Sequence, residues 1–263
     1  MWLDEEKPIS KQDVVLEMPF VNTAGSLGFY PNPNLMPFLP HLGAFITNPI
    51  SFRSRQPAKN RRYLPYSGGF LLHTGLQNPG IHRAIARFKK RWENAPLPVI
   101  VPLLAEEPNS LAGMVRELES LENILAVELG LPPDCSPTTL GDFLIAASGE
   151  LPAIVCLSPE QIPVLLATLA DLHPAAVHLV SPRGALPSDE GEIITGRLYG
   201  PAIFPRMLQS AKTLVDAGLR VVADGGINAH WQAEALLDAG VMAVGLGSVL
   251  WQINPGGIFT DNM

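Results

Sequence analysis

Short apolar runs alternate with amphipathic stretches along most of this chain. The runs at residues 19–25, 43–51, 97–104, 124–131, 152–158, 175–181, 219–228 and 243–248 each read as a strand. Most are nearly continuous in apolar residues, the pattern of strands buried on both faces in a parallel sheet. Between them the pattern changes to a helical period. Ile81, Ile85, Phe88 and Trp92 share one face of a helix predicted over 81–94. Further helices are expected over 109–122, 138–148, from Pro159 onward, and over 205–217 and 231–239, Pro159 being a favoured first helical residue. Eight strands with intervening helices imply parallel pairing through right-handed crossovers. The expectation is an α/β fold, a (β/α)8 TIM barrel, with residues 1–263 as one domain and a short acidic lead-in covering its bottom.

Two stretches interrupt the alternation. Residues 52–80 are polar, carry Arg53, Arg55, Arg61 and Arg62, and end in a glycine-rich segment. A connection this long without clear periodicity reads as a lid or binding loop. A second long loop runs from strand six to Gly200.

Composition narrows the classes. A length of 263 residues suits one barrel, and 47% hydrophobic with 16% charged residues fits many buried strands and argues against disorder. The net charge of −7 gives no electrostatic reason to expect nucleic acid or an anionic membrane surface. The basic residues between Arg83 and Arg91 read as a solvated helix face. Cys135 and Cys156 make no disulfide framework, the N-terminal residues contain no signal-like apolar region, and no apolar run is long enough to span a bilayer. A cytoplasmic protein is expected.

Chemistry in such a barrel sits at the C-terminal ends of the strands. Those of strands seven and eight carry Asp224-Gly225-Gly226-Ile227 and Gly245-Leu246-Gly247-Ser248. Backbone N–H groups at Gly225, Gly226 and Gly247, the Ser248 hydroxyl and the next helix N-terminus suit a phosphate dianion, against the plainer reading of tight turns without a ligand. Glu128 and Asp224 read as single carboxylates at strand ends, and Cys156 as a small buried hydrophobe. His73 and His178 are each open to an acid, base or substrate role or a structural one. No clustering at metal-ligand spacing is present, so no metal site is expected.

Several segments, in order and spacing, resemble the dihydroorotate dehydrogenase family of FMN-dependent barrels. They are Asn22-Thr-Ala-Gly-Ser-Leu-Gly28, Gly43-Ala-Phe-Ile-Thr47, Gly75-Leu-Gln-Asn-Pro-Gly80, Glu128-Leu129, Gly196-Arg-Leu-Tyr-Gly-Pro-Ala-Ile203, Gly225-Gly-Ile227 and Gly245-Leu-Gly-Ser248. The resemblance implies hydride transfer from dihydroorotate or a related small molecule to FMN. It places Ala24 and Gly25 along the flavin, Thr47 and Asn48 at the end of strand two, and Gly200 at the flavin's border. Gly225, Gly226, Gly247 and Ser248 would take the FMN phosphate, and Gly75, Leu76, Asn78 and Ser181 the substrate. The family's base is a cysteine or serine after strand four, for which this chain offers Cys135 or Ser136, displaced by about two residues; a loop cysteine without a role is the competing reading.

The departures are specific. Asn48 and Cys156 stand where the family has lysines, and Leu72, Gly130 and Ser181 where its pocket has asparagines. A cation beside the flavin would then have to come from Arg183 or Arg197. A homodimer is usual in the soluble branch of the family. The alternatives are a catalytically degenerate FMN- or phosphate-binding barrel, or a flavin-free isomerase or lyase acting on a phosphorylated substrate.

Overall fold

The computed structural model describes residues 13–58, 62–252 and 255–259. The acidic lead-in over residues 1–12 and Arg61 therefore lie outside the described residues. The first two apolar runs give short strands, β1 (Phe20–Asn22) and β2 (Phe45–Ile46). Pro49 lacks the N–H a ladder needs, and the run ends in a single bridge from Ile50 to Leu103.

The stretch expected to be an irregular lid contains an antiparallel hairpin, β3 (Arg62–Tyr66) and β4 (Gly69–His73). Helix α1 (Ile81–Glu93) buries Ile81, Ala84, Phe88 and Trp92 on one face. Trp92 is fully buried and donates its indole N–H to the Phe29 carbonyl at 2.6 Å, tying the helix to the loop after β1.

From there the alternation runs as its pattern predicts: β5 (Val99–Leu104), α2 (Pro108–Glu119), β6 (Ile124–Gly130), α3 (Pro137–Ala146), β7 (Ala153–Leu157), α4 (Ile162–Leu172) and β8 (Ala176–Leu179). The loop after β8 is a second hairpin, β9 (Arg183–Pro187) and β10 (Ile193–Tyr199). Then come α5 (Phe204–Asp216), β11 (Val221–Asp224), α6 (His230–Asp238) and β12 (Ala243–Leu246).

Eight strands form one parallel sheet in the order β1-β12-β11-β8-β7-β6-β5-β2. A parallel bridge between Val21 and Ala44 brings the two ends together, so the sheet is a (β/α)8 barrel. The closing seam has little backbone ladder, and Asn22 substitutes for it. Its buried amide accepts from Ile46 N at 2.8 Å and donates to Ile46 O at 2.7 Å, the two bonds a neighbouring peptide would make.

Inside the barrel, Val21, Ala44, Ile46, Ile100, Ala126, Ile154, Ala176, Val222 and Ala243 pack as one apolar layer drawn from every strand. Alternate residues such as Val155, Val177, Leu179, Val221 and Val244 join the core against the helices, with Leu165, Leu169, Met207 and Leu214. The two hairpins meet in a four-stranded antiparallel sheet, β3-β4-β10-β9. Both leave the barrel after a strand, so this sheet stands at its C-terminal end.

Candidate functional site

At the ends of β11 and β12 the chain folds around a small cleft. Gly225, Gly226, Gly247 and Ser248 form one wall, Tyr199 and Gly200 another, with Thr23, Ser181 and Gly245 also lining it. Gly226 has φ +78°, and a Cβ there would lie 2.6 Å from the Phe204 amide nitrogen. No larger residue fits without moving the start of α5. Among the described hydrogen bonds, the amides of Gly225, Gly226, Gly247 and Ser248 have no carbonyl partner. Clustered free N–H groups of this kind favour an anion. The segment after β12 is a 3-10 turn, Ser248–Trp251, in place of the helix N-terminus expected there.

An aromatic row begins at this cleft. Tyr199 stacks on Phe70 at 5.3 Å, and Phe70 lies 5.0 Å from Tyr63 and 6.5 Å from Trp251 between ring centroids. Gly200, with φ +112°, lets the chain pass against the β3–β4 turn, where a Cβ would sit 2.5 Å from the Gly68 carbonyl oxygen. The wall made by Tyr199 and Gly200 therefore depends on contact between the two hairpins.

The barrel interior changes character toward this end. Two residues beyond the apolar layer, on the same faces of their strands, stand Glu128, Cys156, His178, Asp224 and Gly245. His178 Nδ1 lies 3.0 Å from Glu128 Oε2 and its Nε2 lies 3.6 Å from Asp224 Oδ2, with all three side chains 1% exposed. The second contact is an ion pair too long for a hydrogen bond. The carboxylates that read as isolated in sequence are thus joined through one imidazole. Burial alone would lower the pKa of His178, but the charge of Glu128, the contact with Asp224 and the hydrogen bond to Glu128 raise it to about 10. It is an imidazolium at neutral pH. Gly245 makes room for this layer, since a Cβ there would meet Asp224 Cβ at 2.6 Å.

Asp224 links the layer to the cleft. Its Oδ1 accepts from Ser181 N at 2.9 Å and lies 3.4 Å from the Ser181 hydroxyl, while the Ser181 carbonyl accepts from Arg197 Nη1 at 2.7 Å. Burial and the charge of Glu128 push the Cys156 thiol well above its ordinary pKa, so it stays neutral.

The remaining residues singled out by the sequence are more dispersed. Ala24 packs against the apolar layer, and Gly25 approaches the Pro49 ring. Thr47 is buried, and Asn48 accepts from Gly28 N at 3.1 Å, joining the loops after β1 and β2. Asn78 accepts from Ser51 N and Gly80 N and donates to Ser51 Oγ and Leu76 O, so its amide is engaged within its own loop. Leu76 is 44% exposed beside Gly75. Neither Cys135 nor Ser136 lines the cleft. Ser136 caps α3 by accepting from Thr139 N at 3.1 Å. Cys135 is buried, and burial with the charge of Asp134 pushes its thiol to about 11.

No family model matches the chain. Curated relatives span most of it. The catalytic subunit of dihydroorotate dehydrogenase B (NAD(+)) from Pelobacter propionicus is 27% identical over 89% of this chain and 84% of its own length. Those from Trichlorobacter lovleyi and Latilactobacillus sakei are 25% and 26% identical, each over 91% of this chain and 86% of their own length. With the eight-stranded barrel, these likenesses make the chain a divergent relative of the dihydroorotate dehydrogenase family.

Proposed function

We propose that the chain is an FMN-dependent oxidoreductase that oxidises dihydroorotate, or a related small substrate, by hydride transfer to flavin. The observation that carries this reading is the cleft itself, where free backbone amides at the ends of β11 and β12 lie next to a stacked aromatic wall. An anion cradle beside a flat apolar face suits a phosphorylated ligand with a planar ring. The names of the relatives supply the substrate class.

The residues present fit FMN. Gly225, Gly226, Gly247 and Ser248 would hold its phosphate, Gly200 and Tyr199 would border the rest, and Ala24, Gly25, Thr47 and Asn48 would lie along the loops toward which the ring extends. Bound FMN supplies a two-electron acceptor for hydride. Gly75, Leu76, Asn78 and Ser181 would contact the substrate, Asn78 also fixing the loop that carries Gly75 and Leu76. Cys135 or Ser136 is the proposed base. Neither lines the cleft here, so proton transfer by Cys135 requires the loop after β6 to move toward it.

The substrate is a small molecule, and the relatives' designation as catalytic subunits supports a separate partner chain; a homodimer is proposed by the same family resemblance. The purified protein should be yellow, or should quench FMN fluorescence, and should reduce a dye with dihydroorotate. A colourless protein that ignores FMN would refute the cofactor. A flavoprotein inert to dihydroorotate would favour the second reading, a barrel that grips FMN or another phosphorylated ligand without this chemistry. The neutral Cys135 thiol and the engaged Asn78 amide support that alternative.

A further inference from the structure

The charges around the barrel mouth do not balance within the barrel. Glu128 and Asp224 are two carboxylates against the single imidazolium of His178, so the layer is net negative. Among the described residues, none of the eight barrel strands ends in lysine or arginine. The antiparallel sheet carries cations of its own, among them Arg183 on β9 and Arg197 on β10, which are partners in one ladder.

Their settings differ. Arg183 is exposed and feels the carboxylate of Glu160. Arg197 is half-buried, with Nη1 anchored 2.7 Å from the carbonyl of Ser181, a residue that lines the cleft. Its charge also reaches Cys156 in the buried layer and the Tyr199 ring on the cleft wall. The Ser181 carbonyl is its one partner among the described hydrogen bonds and ion pairs. A guanidinium presents five N–H groups in a fixed fork, so further donors remain for a ligand.

We propose that Arg197 is the cation of the cleft, its fork meeting the electron-rich imide edge of a bound flavin and favouring the reduced, anionic ring over the oxidised one. This rests on the reading of the cleft as an FMN site and adds to it the residue that sets the electron affinity there. The effect is electrostatic: no bond forms and the guanidinium keeps its proton. The net negative layer beneath holds the arginine's charge in place while making an anionic ring costly without it.

The test uses the full chain reconstituted with FMN. Affinity is read by fluorescence quenching and the midpoint potential by equilibration with reference dyes. Arg197→Gln should still bind FMN but lose at least about tenfold in preference for the reduced form, a fall of about 30 mV for a two-electron couple. Arg197→Lys should recover most of the loss, and Arg183→Gln should leave the potential unchanged. Arg197→Met repeats the neutralisation with an apolar stem should the glutamine variant misfold. A wild-type midpoint in the neutral Arg197 variants overturns the inference, as does an equal fall in Arg183→Gln. Wild-type protein that binds no FMN removes the cofactor reading, and the inference with it, before any variant is made.

Discussion

Replacing His178 with leucine should destabilise the barrel by several kcal/mol, in a way that depends on pH. The ring lies 3.0 Å from Glu128 and 3.6 Å from Asp224 with 1% exposure, so its loss leaves two buried carboxylates facing each other without a cation. Breaking a buried ion pair by deleting one partner costs about 3–5 kcal/mol. That is a large share of the roughly 5–15 kcal/mol that holds a typical domain folded. Linkage gives an independent figure. His178 titrates at about 10 in the folded chain, against roughly 6.5 when unfolded. Since the folded value is the higher, this stabilisation is complete below the unfolded pKa and is lost as pH rises from there toward 10. At roughly 1.4 kcal/mol per unit of separation, its upper bound is about 5 kcal/mol. Urea unfolding of wild type and His178→Leu at intervals between pH 6 and 10 would measure both quantities. The gap should be several kcal/mol near pH 6 and should narrow toward pH 10. A variant within about 1 kcal/mol of wild type at neutral pH, or a gap that does not narrow, would refute the assignment of His178 as a buried imidazolium.

Other perturbations reach different parts of the structure. Asn22→Ala would leave the buried N–H and C=O of Ile46 without partners at the barrel seam, a cost of about 1–3 kcal/mol for each group that water cannot reach, measurable by urea denaturation. Cys135 is pushed to about 11 and Cys156 well above its ordinary value, so neither thiol should react readily with Ellman's reagent at pH 8 until the protein is denatured; rapid reaction of the native chain would contradict both shifts. Gly226→Ala forces a Cβ to 2.6 Å from the Phe204 amide, and FMN affinity should fall at least about tenfold, about 1.4 kcal/mol, by fluorescence titration. Gly200→Ala would push the β3–β4 turn away from the Tyr199 wall, weakening FMN binding while shifting the urea midpoint of the barrel little.

The barrel was legible because its strands are buried on both faces and its helices on one. Continuous runs such as residues 99–104 and 124–130 leave little choice of environment, and Ile81, Phe88 and Trp92 repeat at a helical period with matching burial. The hairpins were not legible for equally physical reasons. β3 contains Pro65, which an edge strand tolerates but which reads locally as a breaker, and Gly68-Gly69 marks only a turn. What makes β4 a strand is β10, which pairs Leu72 with Arg197 from a distant part of the chain. The glycines of the cleft announced themselves through their position after strands. The Glu128–His178–Asp224 contact did not, because the barrel's closure and strand stagger decide which interior residues meet. A usable signal was present: each of the three lies two residues after a small or branched apolar residue, Ala126, Ala176 or Val222, and so on the same interior face.

The two sheets divide the work of the site between them. The parallel barrel supplies the fixed parts, namely free amides at Gly225, Gly226, Gly247 and Ser248 and a charged layer with little exposure. The antiparallel sheet supplies the aromatic wall and a half-buried arginine near the cleft, through Tyr199 and Arg197 on one strand. One residue, Leu198, separates Arg197 from Tyr199 on β10, so strand alternation sends both to the same side. A ligand held by the amides would therefore meet ring and charge from a single rigid strand, and the docking of the two hairpins, through the close approach of Gly200 to Gly68 and Gly69, completes the site. The acidic interior explains why the cation comes from outside the barrel: an arginine held by the Ser181 carbonyl keeps its remaining donors directed to a ligand, whereas one placed beside Glu128 or Asp224 would satisfy those carboxylates first.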